Sequence, residues 1–209
     1  MTNLRKTEAR TQPVQKRAQE RRNQILGVTA ELLEEVGQDD LTTILVAKRA
    51  EVSVGTLYHY FPNKYAIMYA LAEQWVGEMD IALQELEAED IEAHSVKKFV
   101  ERSVERMLAV YNNQLGLLPL VQAMYGVPEL KELDVIHDEL IITSMARMFK
   151  RMDISDKPSE LARLGRTYLE LSHALILVVV NQNKAEGEKT LSELKYLSLS
   201  LLERAKSQF

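Results

Sequence analysis

The amino-acid sequence predicts an all-α protein, in which an N-terminal three-helix unit is followed by a larger helical body, about nine helices in all. Three observations predict this. Helix breakers are scarce, with 8 Gly and 5 Pro in 209 residues. Apolar residues recur at three- and four-residue intervals along most of the chain. No stretch combines strict apolar–polar alternation with turn signals at both ends, as a half-buried strand would.

The helices follow in order. Pro13 suits a first helical turn, and the pattern then runs to Val36, with Ile25, Leu26, Leu32, Leu33 and Val36 near one face and Gly37 at the stop. Thr42 caps a short helix that buries Val46, Ala47 and Ala50. A turn over Glu51–Ser53 follows, and Ser53 caps a second short helix, Val54–Tyr60, with Leu57 inward. Asn63 caps a long helix from Lys64 to about Glu87. The acidic stretch Glu85–Glu92 reads as a linker. A helix from about Ser95 to Asn112 comes next, then a short apolar segment, 117–127, closed at Gly126. Pro128 opens a helix to about Met152, and Pro158 opens another to about Asn181. Residues 182–189 read as a polar turn, and the last helix runs from about Thr190 to Lys206.

Composition excludes several classes. There is no Cys, hence no disulfide, thiolate metal site or cysteine nucleophile. No signal peptide is visible, and the longest apolar run, Ala174–Val180, is too short to span a bilayer, so a cytoplasmic protein without membrane contact is expected. The histidines lack metal-ligand spacing, and no phosphate-binding loop, nucleophile elbow or dinucleotide fingerprint is present. Neither a cofactor, a metal nor an enzymatic role is therefore expected.

The formal net charge of −5 is unevenly spread. Residues 1–64 hold ten Lys and Arg against eight Asp and Glu, while residues 65–209 hold sixteen against twenty-three. A basic end on an acidic body suits a polyanion partner at that end, or a solvated tail.

The informative segment is Leu41–Lys64, LTTILVAKRAEVSVGTLYHYFPNK. Two short helices across a three-residue turn, with small Ala47 at their crossing, form a helix-turn-helix, whose second helix enters the major groove of DNA by its N-terminal part. Its chemistry fits. Thr56, Tyr58, His59 and Tyr60 offer hydroxyl and imidazole groups, Gly55 permits close backbone approach, and Lys48 and Lys64 supply positive charge. With Thr42, Thr43, Ser53 and Val54 these are the candidate DNA-contacting residues.

Thr42-Thr43, Val46-Ala47, Ala50, Val52-Ser53, Gly55-Thr56-Leu57-Tyr58, Tyr60-Phe61 and Asn63-Lys64 resemble the DNA-binding signature of the TetR family. The resemblance implies a regulator whose N-terminal domain, residues 1–63, binds a palindromic operator as a dimer. It implies that the remainder, residues 64–209, binds a small effector and forms the dimer interface. Two departures stand out. Glu51 occupies a turn position where the family usually has Gly, so it must tolerate positive φ or bend the turn differently. Ile44 and Leu45 stand where relatives often carry polar or basic residues, and one or both are expected to pack on the first helix.

In the body, Trp75, Met79, Met107, Tyr111, Met124, Tyr125, His137, Met148, Tyr168 and His173 are candidate lining for an apolar or amphipathic effector; equally, they suit a plain core. Leu164, Tyr168, Leu171, Leu175 and Val178 on one helix, and Leu194, Leu197 and Leu201 on the last, suit a two-fold four-helix interface or an intramolecular core. The leading expectation is a ligand-responsive repressor. The alternatives are a regulator without effector that answers to a protein partner, and a helical enzyme or carrier with a vestigial helix-turn-helix.

Overall fold

The computed structural model describes residues 16–207, so Pro13 and the basic residues Arg5, Lys6 and Arg10 lie outside the described residues. Nine α-helices and no strand are found among the described residues. They are α1 (Lys16–Asp40), α2 (Thr43–Arg49), α3 (Val54–Tyr60), α4 (Lys64–Glu87), α5 (Val96–Asn112), α6 (Leu117–Gly126), α7 (Lys131–Arg151), α8 (Pro158–Asn181) and α9 (Lys184–Lys206), with a 3₁₀ turn at Ile91–Ala93. The all-α expectation holds. The described chain forms two compact units, one of residues 16–76 and Gln114–Val135, the other of Gly77–Asn113 and residues 136–207.

The first unit is built around α1. Ile25, Leu26, Leu32 and Leu33 are fully or almost fully buried, as are Leu41, Val46, Ala47, Ala50, Leu57 and Phe61 from α2, α3 and their flanks. Helix α1 breaks at Gly37, whose φ of 73° and ψ of 177° belong to a region that only glycine adopts freely. The ammonium of Lys64 then holds the last turn, donating to the carbonyls of Gln38 at 2.9 Å and Asp39 at 3.4 Å. Helix α6 packs on α1. Its entry residue Gly116 has φ 68°, its N–H donates to Glu34, and a Cβ there would lie 2.6 Å from the carbonyl oxygen of Ala30. Only glycine fits this approach.

The second unit pairs α8 with α9 and lays α5 against both. The two-residue connection Gln182–Asn183 makes them a helical hairpin, and Asn183 caps α9 by accepting from the Glu186 N–H. Helix α9 thus begins six residues earlier than expected from sequence, because 184–189 have no apolar stripe to mark them. Helix α7 begins at Lys131, three residues later than expected, since Pro128 leads a turn closed by Leu130 N–H on the Val127 carbonyl. Gly165 of α8 lets that helix touch α7, where a Cβ would meet the Ile142 carbonyl at 2.7 Å.

The stretch 85–92 is no linker. Glu85 and Glu89 pair with Arg106, Glu89 also with Arg102, Glu87 with Arg147, and Glu92 with Arg151. Arg151 donates further to the backbone carbonyls of Glu87 and Glu89. The acidic run is matched by arginines of α5 and α7. Hydrogen bonds from Arg102 and then Arg106 push the Glu89 carboxyl down to about 2.

Candidate nucleic-acid interface

The helix-turn-helix follows from local chemistry. Thr42 accepts from the Leu45 N–H and starts α2; Ser53 accepts from the Thr56 N–H and starts α3. Between them Glu51 has φ 53°, the positive value expected of a glycine-preferring turn. Gln24 of α1 donates to the Ala50 carbonyl at 3.0 Å, and Arg49 makes a two-pronged pair with Glu35 of α1 at 2.7 and 2.9 Å. The turn is thereby bolted to α1, and Arg49 is spent on that bond. The same bond holds the Glu35 carboxyl below its ordinary range.

On the outer side, the Thr43 and Tyr58 hydroxyls meet at 3.1 Å and tie the first turn of α2 to the middle of α3. The Ser53 and Thr56 hydroxyls meet at 2.8 Å. Thr42, Lys48, Ser53, Val54, Gly55, Tyr58 and His59 are exposed, while Thr43 and Thr56 are half-buried. Of the two residues of which one or both were expected to pack on the first helix, Ile44 is 68% exposed and Leu45 is half-buried. Tyr60 is buried, with its ring edge-on to His59, and closes the unit's core together with Phe61. Lys64, half-buried, donates to the carbonyls of Gln38 and Asp39, and its ammonium lies 5.5 Å from the centre of the Tyr65 ring. One contact was not anticipated: Arg22 of α1 lies over the Phe61 ring at 5.6 Å.

Residues 25–71 match the family of bacterial regulatory proteins of the tetR type, and residues 95–202 match the tetracyclin repressor-like C-terminal domain. The chain belongs to the TetR family. Its members are DNA-binding transcriptional regulators, and the matched residues 25–71 contain the helix-turn-helix described above. A curated relative, the HTH-type transcriptional regulator BetI 1 of Chromohalobacter salexigens, is 24% identical over 133 residues. That match covers 63% of this chain and 66% of the relative, so the chain spans just under two thirds of its length. A TetR-family transcriptional regulator from Streptomyces coelicolor has the same fold, with a TM-score of 0.62 at 24% identity over 88% of this chain and 99% of that one. A gamma-butyrolactone receptor, an ArpA-like protein, also superposes with a TM-score of 0.62, at 17% identity over 92% of this chain and all of the other.

The effector candidates divide. Trp75 and Met124 are buried in the first unit, where Tyr125 is exposed. Met79, Met107, Tyr111, His137, Met148, Tyr168 and His173 are buried in the second unit. Three of these come together. The Tyr111 hydroxyl lies 2.6 Å from Nδ1 of His173, and the His137 ring is edge-on to His173 at 5.4 Å. Burial, with His137 beside it, pushes His173 down to about 4, so it is neutral near pH 7. The Tyr168 hydroxyl instead pairs with that of Ser103, and burial pushes its phenol up to about 12. An open groove of about 250 Å³ lies between α4 and α5, from Glu78 and Glu85 to Ala109 and Asn113. No candidate residue lines it. No group of acidic residues or histidines suited to a metal occurs among the described residues.

The interface candidates divide as well. Leu164, Tyr168 and Leu194 are fully buried within the second unit, where they serve its own core. Leu171, Leu175 and Leu201 are half-buried, and Val178 and Leu197 exposed. Tyr196, absent from the candidates because it breaks the leucine spacing, is also exposed. No described helix is long and apolar enough to cross a membrane.

Proposed function

We propose that this TetR-family regulator is an effector-responsive repressor that binds a palindromic operator as a homodimer. The observation that carries the proposal is the reading head itself, capped at Thr42 and Ser53 and cross-tied by the Thr43–Tyr58 bond. It is followed by one helix, α4, that begins at Lys64 and ends where Glu85 and Glu87 meet their arginines. A helix of 24 residues spans roughly 36 Å, so a shift at one end is felt at the other.

On this reading α3 enters the major groove. Thr42, Thr43, Tyr58, Lys48 and Lys64 face phosphates, while Ser53, Val54, Gly55, Thr56 and His59 approach base edges. Tyr60 acts from the core, holding α3 in place. The dimer forms through Leu171, Leu175 and Val178 of α8 with Leu197 and Leu201 of α9, the part of the predicted interface that the subunit's own core leaves uncovered, joined by the exposed Tyr196. The effector is a small apolar or amphipathic molecule. Its polar end meets Tyr111, His137 and His173, and its apolar part displaces the buried methionines Met79, Met107 and Met148. The receptor named among the structural relatives supports a ligand-responsive fold, without indicating which ligand this chain takes.

An effector induces only if it prefers the non-binding state, and operator DNA must then weaken effector binding by the same factor. The test is to find a binder by thermal shift and titrate it with and without operator. The proposal expects weaker binding with operator present, and loss of the binder's effect in Tyr111→Phe or His173→Ala. If every binder has equal affinity in both titrations, a regulator answering to a protein partner replaces it. Tyr58→Ala and Thr43→Val are expected to weaken operator binding while leaving the dimer intact. Leu197→Glu is expected to yield monomers in sedimentation, because it places charges in the apolar seam.

A further inference from the structure

Protein side chains usually tell bases apart through bidentate bonds, Arg or Lys to guanine and Asn or Gln to adenine. Helix α3, VGTLYHY, contains none of these four residues. The Thr56 and Tyr58 hydroxyls are engaged within the head, with Ser53 and Thr43, and Tyr60 is buried. His59 sits in the C-terminal half of the helix, edge-on to Tyr60. The half that enters a groove presents Val54, 38% exposed, followed by Gly55.

Gly55 is unexplained by the fold. A Cβ there would meet nothing closer than the Ser53 hydroxyl at 3.8 Å, an ordinary contact, and the residue does not need positive φ. Glycine in a helix is nevertheless less favourable than alanine. Nothing among the described residues repays that cost, which suits a bare backbone that serves an external surface pressed against it. An apolar residue beside a bare one, on a helix that approaches base edges closely, suits one feature of the major groove above others, the 5-methyl of thymine.

We infer that Val54 is a specificity-determining residue that reads a thymine methyl in each operator half-site, with Gly55 allowing the approach. This rests on the reading of α3 as the recognition helix. Ile44 is more exposed than Val54, at 68%, but it lies on α2, the helix that crosses the backbone in this motif, and on this reading it does not reach bases.

The experiment uses the full chain and an operator selected from random duplexes. Each thymine of the selected half-site is replaced, symmetrically and one position at a time, by deoxyuridine, which lacks only the methyl. One position is expected to weaken wild-type binding about fourfold per half-site, the weight of one buried methyl. Val54→Ala is expected to bind the thymine and uracil forms of that position equally, and Ile44→Ala to keep the wild-type difference. Gly55→Ala is expected to bind every selected sequence about tenfold more weakly or worse, while its melting temperature equals or exceeds that of the wild type. A wild type indifferent to every replacement, or a Val54→Ala protein that keeps the difference, overturns the inference and leaves α3 as the recognition helix. A selection that enriches no sequence overturns the recognition reading, and the inference with it.

Discussion

Glu51 and His173 are two residues held where their chemistry is unfavourable, and each has a measurable consequence. Glu51 takes a φ of 53°, which costs an ordinary side chain about 1–2 kcal/mol. Glu51→Gly removes that strain but gains freedom in the unfolded chain, so a net stabilisation of about 1 kcal/mol is expected. In a chain of this size that is a rise of about 2–4 °C in melting temperature. His173 is buried beside Tyr111 and His137, with its pKa pushed down to about 4 chiefly by burial. The unfolded chain binds a proton near 6.5 and the folded chain only near 4, so the stabilisation is complete above 6.5 and is lost as pH falls between the two values. Between pH 6.5 and 5, where ordinary carboxylates stay charged, the loss is on the order of 2 kcal/mol. Denaturant unfolding at successive pH values measures it, and His173→Gln is expected to flatten the slope in that window.

At the scale of elements, what was legible in the sequence depended on how local the cause was. The caps at Thr42, Ser53, Asn63 and Ser95 bond to N–H groups three residues away, and α2, α3, α4 and α5 begin as read. The start of α9 was hidden because Lys184–Thr190 has no apolar face, and its helix is recognised only by its cap and its contact with α8. The acidic stretch 85–92 was misread because its partners, Arg102, Arg106, Arg147 and Arg151, lie up to about sixty residues further on. Periodicity marked Leu164, Tyr168 and Leu194 as buried but could not say whether against their own subunit or another. The candidate DNA residues gathered on one head because they lie within one local motif, while the effector candidates, drawn from composition, scattered across two units. The acidic knot is testable. Glu89 accepts from Arg102 and Arg106, both at 2.7 Å, so Glu89→Gln is expected to lower stability by about 1 kcal/mol. In 1 M salt, where charges are screened beyond about 3 Å, thermal melts are expected to show a smaller difference.

For the whole molecule, the functional division and the physical one cut the chain at different places. The sequence reading ends the DNA-binding part at residue 63, whereas the compact unit that contains it runs to residue 76 and takes in Gln114–Val135. The join is made at Gly116, where α6 meets α1 too closely for any Cβ. Gly116→Ala would set a methyl 2.6 Å from the Ala30 carbonyl and 2.9 Å from Leu33 Cβ, at a φ of 68°. A loss of about 3 kcal/mol or more is expected, read as a lower melting temperature. Because Leu33 belongs to the core beneath α2 and α3, operator affinity is expected to fall as well, although the substitution lies more than fifty residues from α3. The genetics of the protein follows from this. A collection of point mutants sorted by loss of DNA binding is expected to contain a second cluster of hits around residues 116–124, far along the gene from the codons of the helix-turn-helix.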